Sequence, residues 1–174
     1  GRNAVEAGDG RMVSLNRYKH GPDSVYNCIE RGWKFYAERP YLAGVLYWTG
    51  FDYRGEPNPM VFPATSSEFG ILDYCGFPKD EAYYLKSWWT SEPVLHILPH
   101  WNLDGHEGEK ISVWAYSNCD EVQLIVNGKK LGRKKMPVNG HLEWEATYKP
   151  GYVRAIGYKN GHKVMETRIE TAGE

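Results

Sequence analysis

Near Pro93 the spacing of apolar residues changes from three and four to two, and no single layer of structure satisfies both periods. Before that point Val25, Cys28, Ile29, Trp33 and Tyr36 recur at helical intervals; Pro22, Asp23 and Ser24 read as a helix start and Arg39-Pro40 as its stop. Beyond it, Ile111, Val113 and Ala115 alternate with polar neighbours, as do Val122, Leu124 and Val126, then Leu142, Trp144 and Ala146, then Val153 and Ala155. Two domains of different class are predicted, residues 1–92 and 93–174.

In the first part, the helix leads into the apolar run Leu42, Ala43, Gly44, Val45 and Leu46, which reads as a buried strand over 42–49. The run ends in Tyr47 and Trp48, and a loop carrying Asp52, Tyr53, Arg54 and Glu56 follows at once. In barrels of parallel strands the chemistry sits where strands end, because side chains there converge on one mouth while the strand stays packed. The loop is long and rich in Gly and Pro (Gly50, Gly55, Pro57, Pro59, Pro63, Gly70, Gly76), and such loops in compact domains are usually functional. A second helix starts at Pro78-Lys79-Asp80 and carries Ala82, Leu85, Trp88 and Trp89. Helix, strand, long loop and helix make one and a half units of an α/β barrel, too little for the whole of it.

The second part has the marks of an all-β sandwich. Asn127-Gly128, Asn139-Gly140 and Asn160-Gly161 are tight-turn dipeptides and Pro150-Gly151 marks a further turn. About seven short strands with frequent turns over roughly 80 residues describe the immunoglobulin-like architecture. The Cys…Trp…Cys spacing of antibody domains is absent, so the expectation concerns architecture alone.

A formal net charge of −1 with interspersed signs leaves no electrostatic footprint for nucleic acid or an anionic membrane, and no apolar run approaches the length of a membrane span. Cys28, Cys75 and Cys119 are widely spaced, fit neither a CxxC metal site nor a disulfide framework, and read as buried thiols. The first residues, GRNAVEAGDGR, lack a basic and then apolar leader and read as a chain beginning in mid-protein. The compartment stays open, with a periplasmic or secreted setting slightly favoured.

WTGFDYRGEPNP (48–59), SSEFGILDYCGFPKDEAYYLKSWW (66–89), LHILPHWN (95–102) and YSNCDEVQLIVNGKKLG (116–132), in that order, resemble bacterial β-galactosidases of glycoside hydrolase family two. The likeness runs from about Tyr41 to the end of the chain. It implies an α/β remnant of a catalytic (β/α)8 barrel up to residue 92, followed by an immunoglobulin-like domain. It also implies a retaining hydrolase of terminal β-galactosides working without an organic cofactor. Such enzymes need two carboxyl groups about 5–5.5 Å apart. In this family they are glutamates near the ends of the fourth and seventh strands, and the chain is expected to begin after both. No catalytic residue is therefore assigned. Glu6 alone could be argued into the seventh-strand position, but Gly1 to Val5 supply no apolar strand before it.

Four residues are candidates for touching sugar. The family places a tryptophan at the position of Trp48 as the floor of the subsite for the cleaved sugar; the other reading of Trp48 is a core tryptophan. Asp52 can accept paired hydrogen bonds from a vicinal diol or cap its own loop as an Asx-turn. Tyr53 and Glu56 share the mouth with Arg54, and an Arg54–Glu56 pairing that shapes the loop is as good a reading as substrate contact. Glu68 and Asp73 read as loop or cap acids. His96, His100 and Trp101 lack the convergent spacing of a metal site and read as interdomain packing, with metal binding the minor alternative. Trp114 and Trp144 would form a sugar platform if exposed together on one sandwich face; Trp144, in phase with Leu142 and Ala146, reads as core. The isolated chain is expected to be inactive, to require the upstream part of the same enzyme, and to self-associate through uncovered apolar surface. The rival reading is a non-catalytic glycan-binding or protein-interaction module.

Overall fold

A computed structural model describes residues 28–55, 65–66 and 70–173, in two compact units that divide between Ala82 and Tyr83. The helix start at Pro22-Asp23-Ser24, Val25, Glu6, Glu56 and Glu68 lie outside the described residues.

In the first unit, helix α1 spans Cys28–Ala37. Trp33 and Tyr36, three residues apart, pack with ring centroids 5.3 Å apart. Lys34 is ion-paired one turn on from Glu30 at 2.5 Å, which satisfies a carboxylate that is almost wholly buried. No strand forms over 42–48, contrary to the prediction: Leu42, Val45, Leu46, Tyr47 and Trp48 are exposed. The physical reason lies in the ladder. A parallel strand takes its hydrogen bonds from neighbours, and among the described residues of this unit pairing amounts to isolated bridges, Phe51 with Leu72, Arg54 with Ser66 and Leu72 with Pro78. An apolar run without such neighbours stays irregular.

Helix α2, Asp80–Trp89, starts where Pro78 and Lys79 predict. Seven strands follow: β1 Leu95–Leu98, β2 Lys110–Ser117, β3 Glu121–Val126, β4 Lys129–Lys135, β5 Leu142–Thr147, β6 Tyr152–Lys159 and β7 His162–Glu170. They form two antiparallel sheets in the orders β1-β2-β5 and β4-β3-β6-β7, the two-sheet plan expected of an immunoglobulin-like domain. Asn127-Gly128 and Asn160-Gly161 turn β3 into β4 and β6 into β7 with φ of 47° and 81°, and 51° and 81°, the left-handed pair that a two-residue hairpin needs. Asn139 is also left-handed, but it lies in the longer connection from β4 to β5.

The core follows from the register. Val113 opposite Trp144, and Ile111 opposite Ala146, share a face with Ala115 and Leu142. Val122, Leu124, Val126, Val153 and Ala155 supply the other sheet's buried row. The second face of β2 is buried as well, which a simple alternation does not foresee. Tyr84 of α2 meets Tyr116 edge-on at 5.4 Å, Tyr83 lies flat on His96 at 3.9 Å, and His141 stacks on Trp114 at 4.1 Å. Tyr83 and Tyr84 thus pack with residues of the sandwich. Asn118 and Ser117 tie down the entry to β1: Asn118 Oδ1 accepts the Val94 N–H at 2.9 Å, and the Ser117 hydroxyl donates to the Val94 carbonyl at 2.7 Å.

Candidate functional site

The loop after Tyr47 is laced to the segment before α2. Ile71 N–H donates to the Thr49 carbonyl at 3.1 Å, Leu72 N–H to the Gly50 carbonyl at 2.9 Å, and Asp52 N–H returns to the Leu72 carbonyl at 3.0 Å. Gly70 is required where the segments touch, because a Cβ there would lie 2.3 Å from the Asp52 nitrogen. The lacing leaves Trp48 at its edge, with the residue 77% exposed and a cis peptide to Thr49. Tyr53 is partly exposed, and the Arg54 guanidinium lies 5.9 Å from the centre of the Tyr74 ring.

Asp52 differs from its neighbours in being buried, with 8% side-chain exposure. Its Oδ1 accepts the Gly70 N–H at 2.8 Å and a Lys79 ammonium proton at 3.0 Å, while Oδ2 lies 2.8 Å from the same Nζ. Asp73 accepts the N–H groups of Cys75 and Phe77 at 2.8 and 2.9 Å, a loop-forming role as its position predicts. Of the described acids that precede α2, Glu30 holds Lys34, Glu38 lies beside Arg39, and Asp52 and Asp73 are engaged as above.

Lys79 and Gly70 carry this geometry, and neither is singled out by sequence reasoning. A signal for Lys79 existed: a cation at a helix N-terminus is opposed by the helix dipole, so a carboxylate partner is to be sought. Cys75 is exposed, which corrects the expectation of a buried thiol, because the turn at Asp73 carries it outward; Cys119 is buried.

The other candidates lie in the sandwich. His96 is occupied by its stack on Tyr83, the exposed His100 accepts the Asn102 N–H at its Nδ1, and Trp101 is buried with its indole N–H donating to the Lys149 carbonyl. Among the described residues no three His, Cys, Asp or Glu side chains cluster as a metal site would require. Trp114 and Trp144 are both buried and offer no exposed platform.

Residues 108–165 match the family described as Domain of unknown function (DUF4982). A β-galactosidase of Bacteroides ovatus is 45% identical over 150 residues, covering 85% of this chain and 17% of that protein. A putative β-glucuronidase of Formosa agariphila is 39% identical over 146 residues, covering 80% of this chain and 14% of its own length. The crystal structure of a β-glycosidase from Bacteroides vulgatus superposes with a TM-score of 0.77 at 36% identity, over 83% of this chain and 18% of that one. Fold and sequence together place the chain among the glycoside hydrolases. Within them it belongs to family two, and it spans under a fifth of the length of the curated relatives it matches.

Proposed function

We propose that the chain is the part of a retaining β-galactosidase-like hydrolase that ends the catalytic barrel and carries the sandwich behind it, the whole protein releasing terminal β-linked galactose. The observation that carries this reading is the exposure of Trp48, 77%, beside three sandwich tryptophans, Trp101, Trp114 and Trp144, that are buried. An indole left in solvent at the edge of a laced polar loop is suited to cover the apolar face of a pyranose. Trp48, Asp52, Tyr53 and Glu56 are the residues assigned to sugar binding, and the two carboxyl groups that break the bond come from elsewhere in the full-length protein. Exposed Leu42, Val45, Leu46 and Phe51 are the surface that the rest of the barrel covers, and without it the chain self-associates. Galactoside rather than glucuronide is supported by the higher identity to the relative named a β-galactosidase. A sugar- or partner-binding sandwich has less support, because its aromatic platform would be built from Trp114 and Trp144, which are buried.

The test compares this chain with its full-length parent on chromogenic β-galactoside and β-glucuronide. The parent is expected to cleave the galactoside with retention, and this chain to cleave neither faster than buffer. Trp48→Ala in the parent is expected to lower kcat/KM at least about tenfold, the equivalent of ~1.4 kcal/mol. Turnover by the purified chain, or a parent that prefers the glucuronide, overturns the reading.

A further inference from the structure

We infer that Lys79 and Asp52 form a latch that positions the Trp48 loop, so that Asp52 acts on substrate through the loop and Lys79 is a positioning residue; the catalytic half of this inference rests on the function proposed above. The latch is a set of linked contacts. Lys79 holds one segment through its backbone N–H, which donates to the Ile71 carbonyl at 2.9 Å, and the other through its ammonium on both oxygens of Asp52. Asp52 adds a bond from Oδ1 to the Gly70 N–H, at the one place where the segments touch too closely for any side chain but hydrogen. The carbonyl of Thr49, next to Trp48, is bonded into the same lace. The backbone is therefore held one residue from an indole that the latch leaves in solvent.

A direct sugar contact by Asp52 would make different demands. A carboxylate has about four acceptor positions, and the Gly70 N–H and the two Lys79 contacts already occupy three. With 8% of the side chain exposed, a hydroxyl would reach it only by displacing one of those partners. The pair is half-buried, since the Lys79 side chain is partly exposed; removing one member leaves the other without its counter-charge, whereas removing both does not add a second loss.

The experiment is a double-mutant cycle in the full-length parent, with a readout on this chain that needs no catalysis. Asp52→Asn and Lys79→Met are each expected to lower kcat/KM on an aryl β-galactoside by on the order of tenfold. The double variant should lose no more than the worse single one, and Lys79→Arg should restore most of the activity. In this chain, hydrogen exchange of the Gly70, Ile71 and Leu72 amides should accelerate in both single variants and not in Lys79→Arg. An Asp52→Asn loss that is the same with and without Lys79 would assign Asp52 to the sugar and overturn the inference, as would unchanged amide exchange in Lys79→Met. If the wild-type parent cleaves no aryl glycoside, the proposed function fails, and amide exchange by itself then decides the latch.

Discussion

Replacing Trp114 with alanine should nearly unfold the sandwich, although its neighbour in sequence, Val113, is the residue that points into the space between the sheets. Trp114 is wholly buried on the opposite face of β2, its ring stacked on His141 at 4.1 Å and its indole N–H donating to the Ser112 hydroxyl at 2.9 Å. A buried tryptophan removes about 200 Å² from water, worth ~5 kcal/mol as an upper figure, and measured losses for aromatic-to-alanine changes in cores are about 3–5 kcal/mol. For a domain of this size each kcal/mol moves the melting midpoint by about 4–8 °C, so a fall on the order of 15–30 °C is expected. Circular dichroism melts at several scan rates would measure it. Trp114→Phe keeps a ring on His141 and gives up the N–H, so it should lose about 1–2 kcal/mol. Trp48→Ala, at an exposed position, should leave the midpoint within a few degrees. A Trp114→Ala chain that melts within about 5 °C of wild type would refute the claim that Trp114, stacked on His141, belongs to a second core on the outer face of β2.

Two further expectations rest on single positions. Gly151 has φ of 139°, and a Cβ there would lie 2.0 Å from the Asn127 Oδ1 that accepts the Tyr152 N–H, so Gly151→Ala should cost about 2–3 kcal/mol in urea unfolding. Gly161→Ala, with φ of 81° and no atom within 4 Å of the added Cβ, should cost about 1 kcal/mol, and equal losses at the two sites would show that the clash is absent. The Lys163 ammonium, hydrogen-bonded to Glu166 at 2.6 Å, holds that carboxyl below its ordinary value, with Arg154 adding to the effect. A carboxylate lowered in the folded state favours folding above the ordinary carboxylate range, and loses that contribution as pH falls through the lowered value. An NMR titration should find the Glu166 midpoint low and raised by Lys163→Ala; an unmoved midpoint would remove the cause.

What the chain's order of residues determined by itself is its local grammar. Period-two alternation at Ile111, Val122, Leu142 and Val153 marks β2, β3, β5 and β6, because each of these strands sends one row of side chains into the space between the sheets, whatever covers its other face. Asn127-Gly128 and Asn160-Gly161 mark two hairpins, because few dipeptides accept two left-handed residues in succession. Strand β4, KKLGRKK, is an exposed edge strand and carries no such alternation, and β1 is four residues with both faces largely covered, so neither has a period to read. Tertiary structure decided the rest. The apolar run at 42–48 has strand composition and no strand, since a strand is completed by neighbours and not by its own residues. Trp48 and Trp114 look alike in sequence, each beside apolar residues, yet one is in solvent and the other is sealed beneath His141. Asp52 and Lys79 stand 27 residues apart, and their pairing depends on backbone lacing between two segments whose residues carry no periodic signal. Local sequence sets which conformations a segment prefers; which face is buried, and which charge meets which, depends on surfaces supplied by residues far away along the chain.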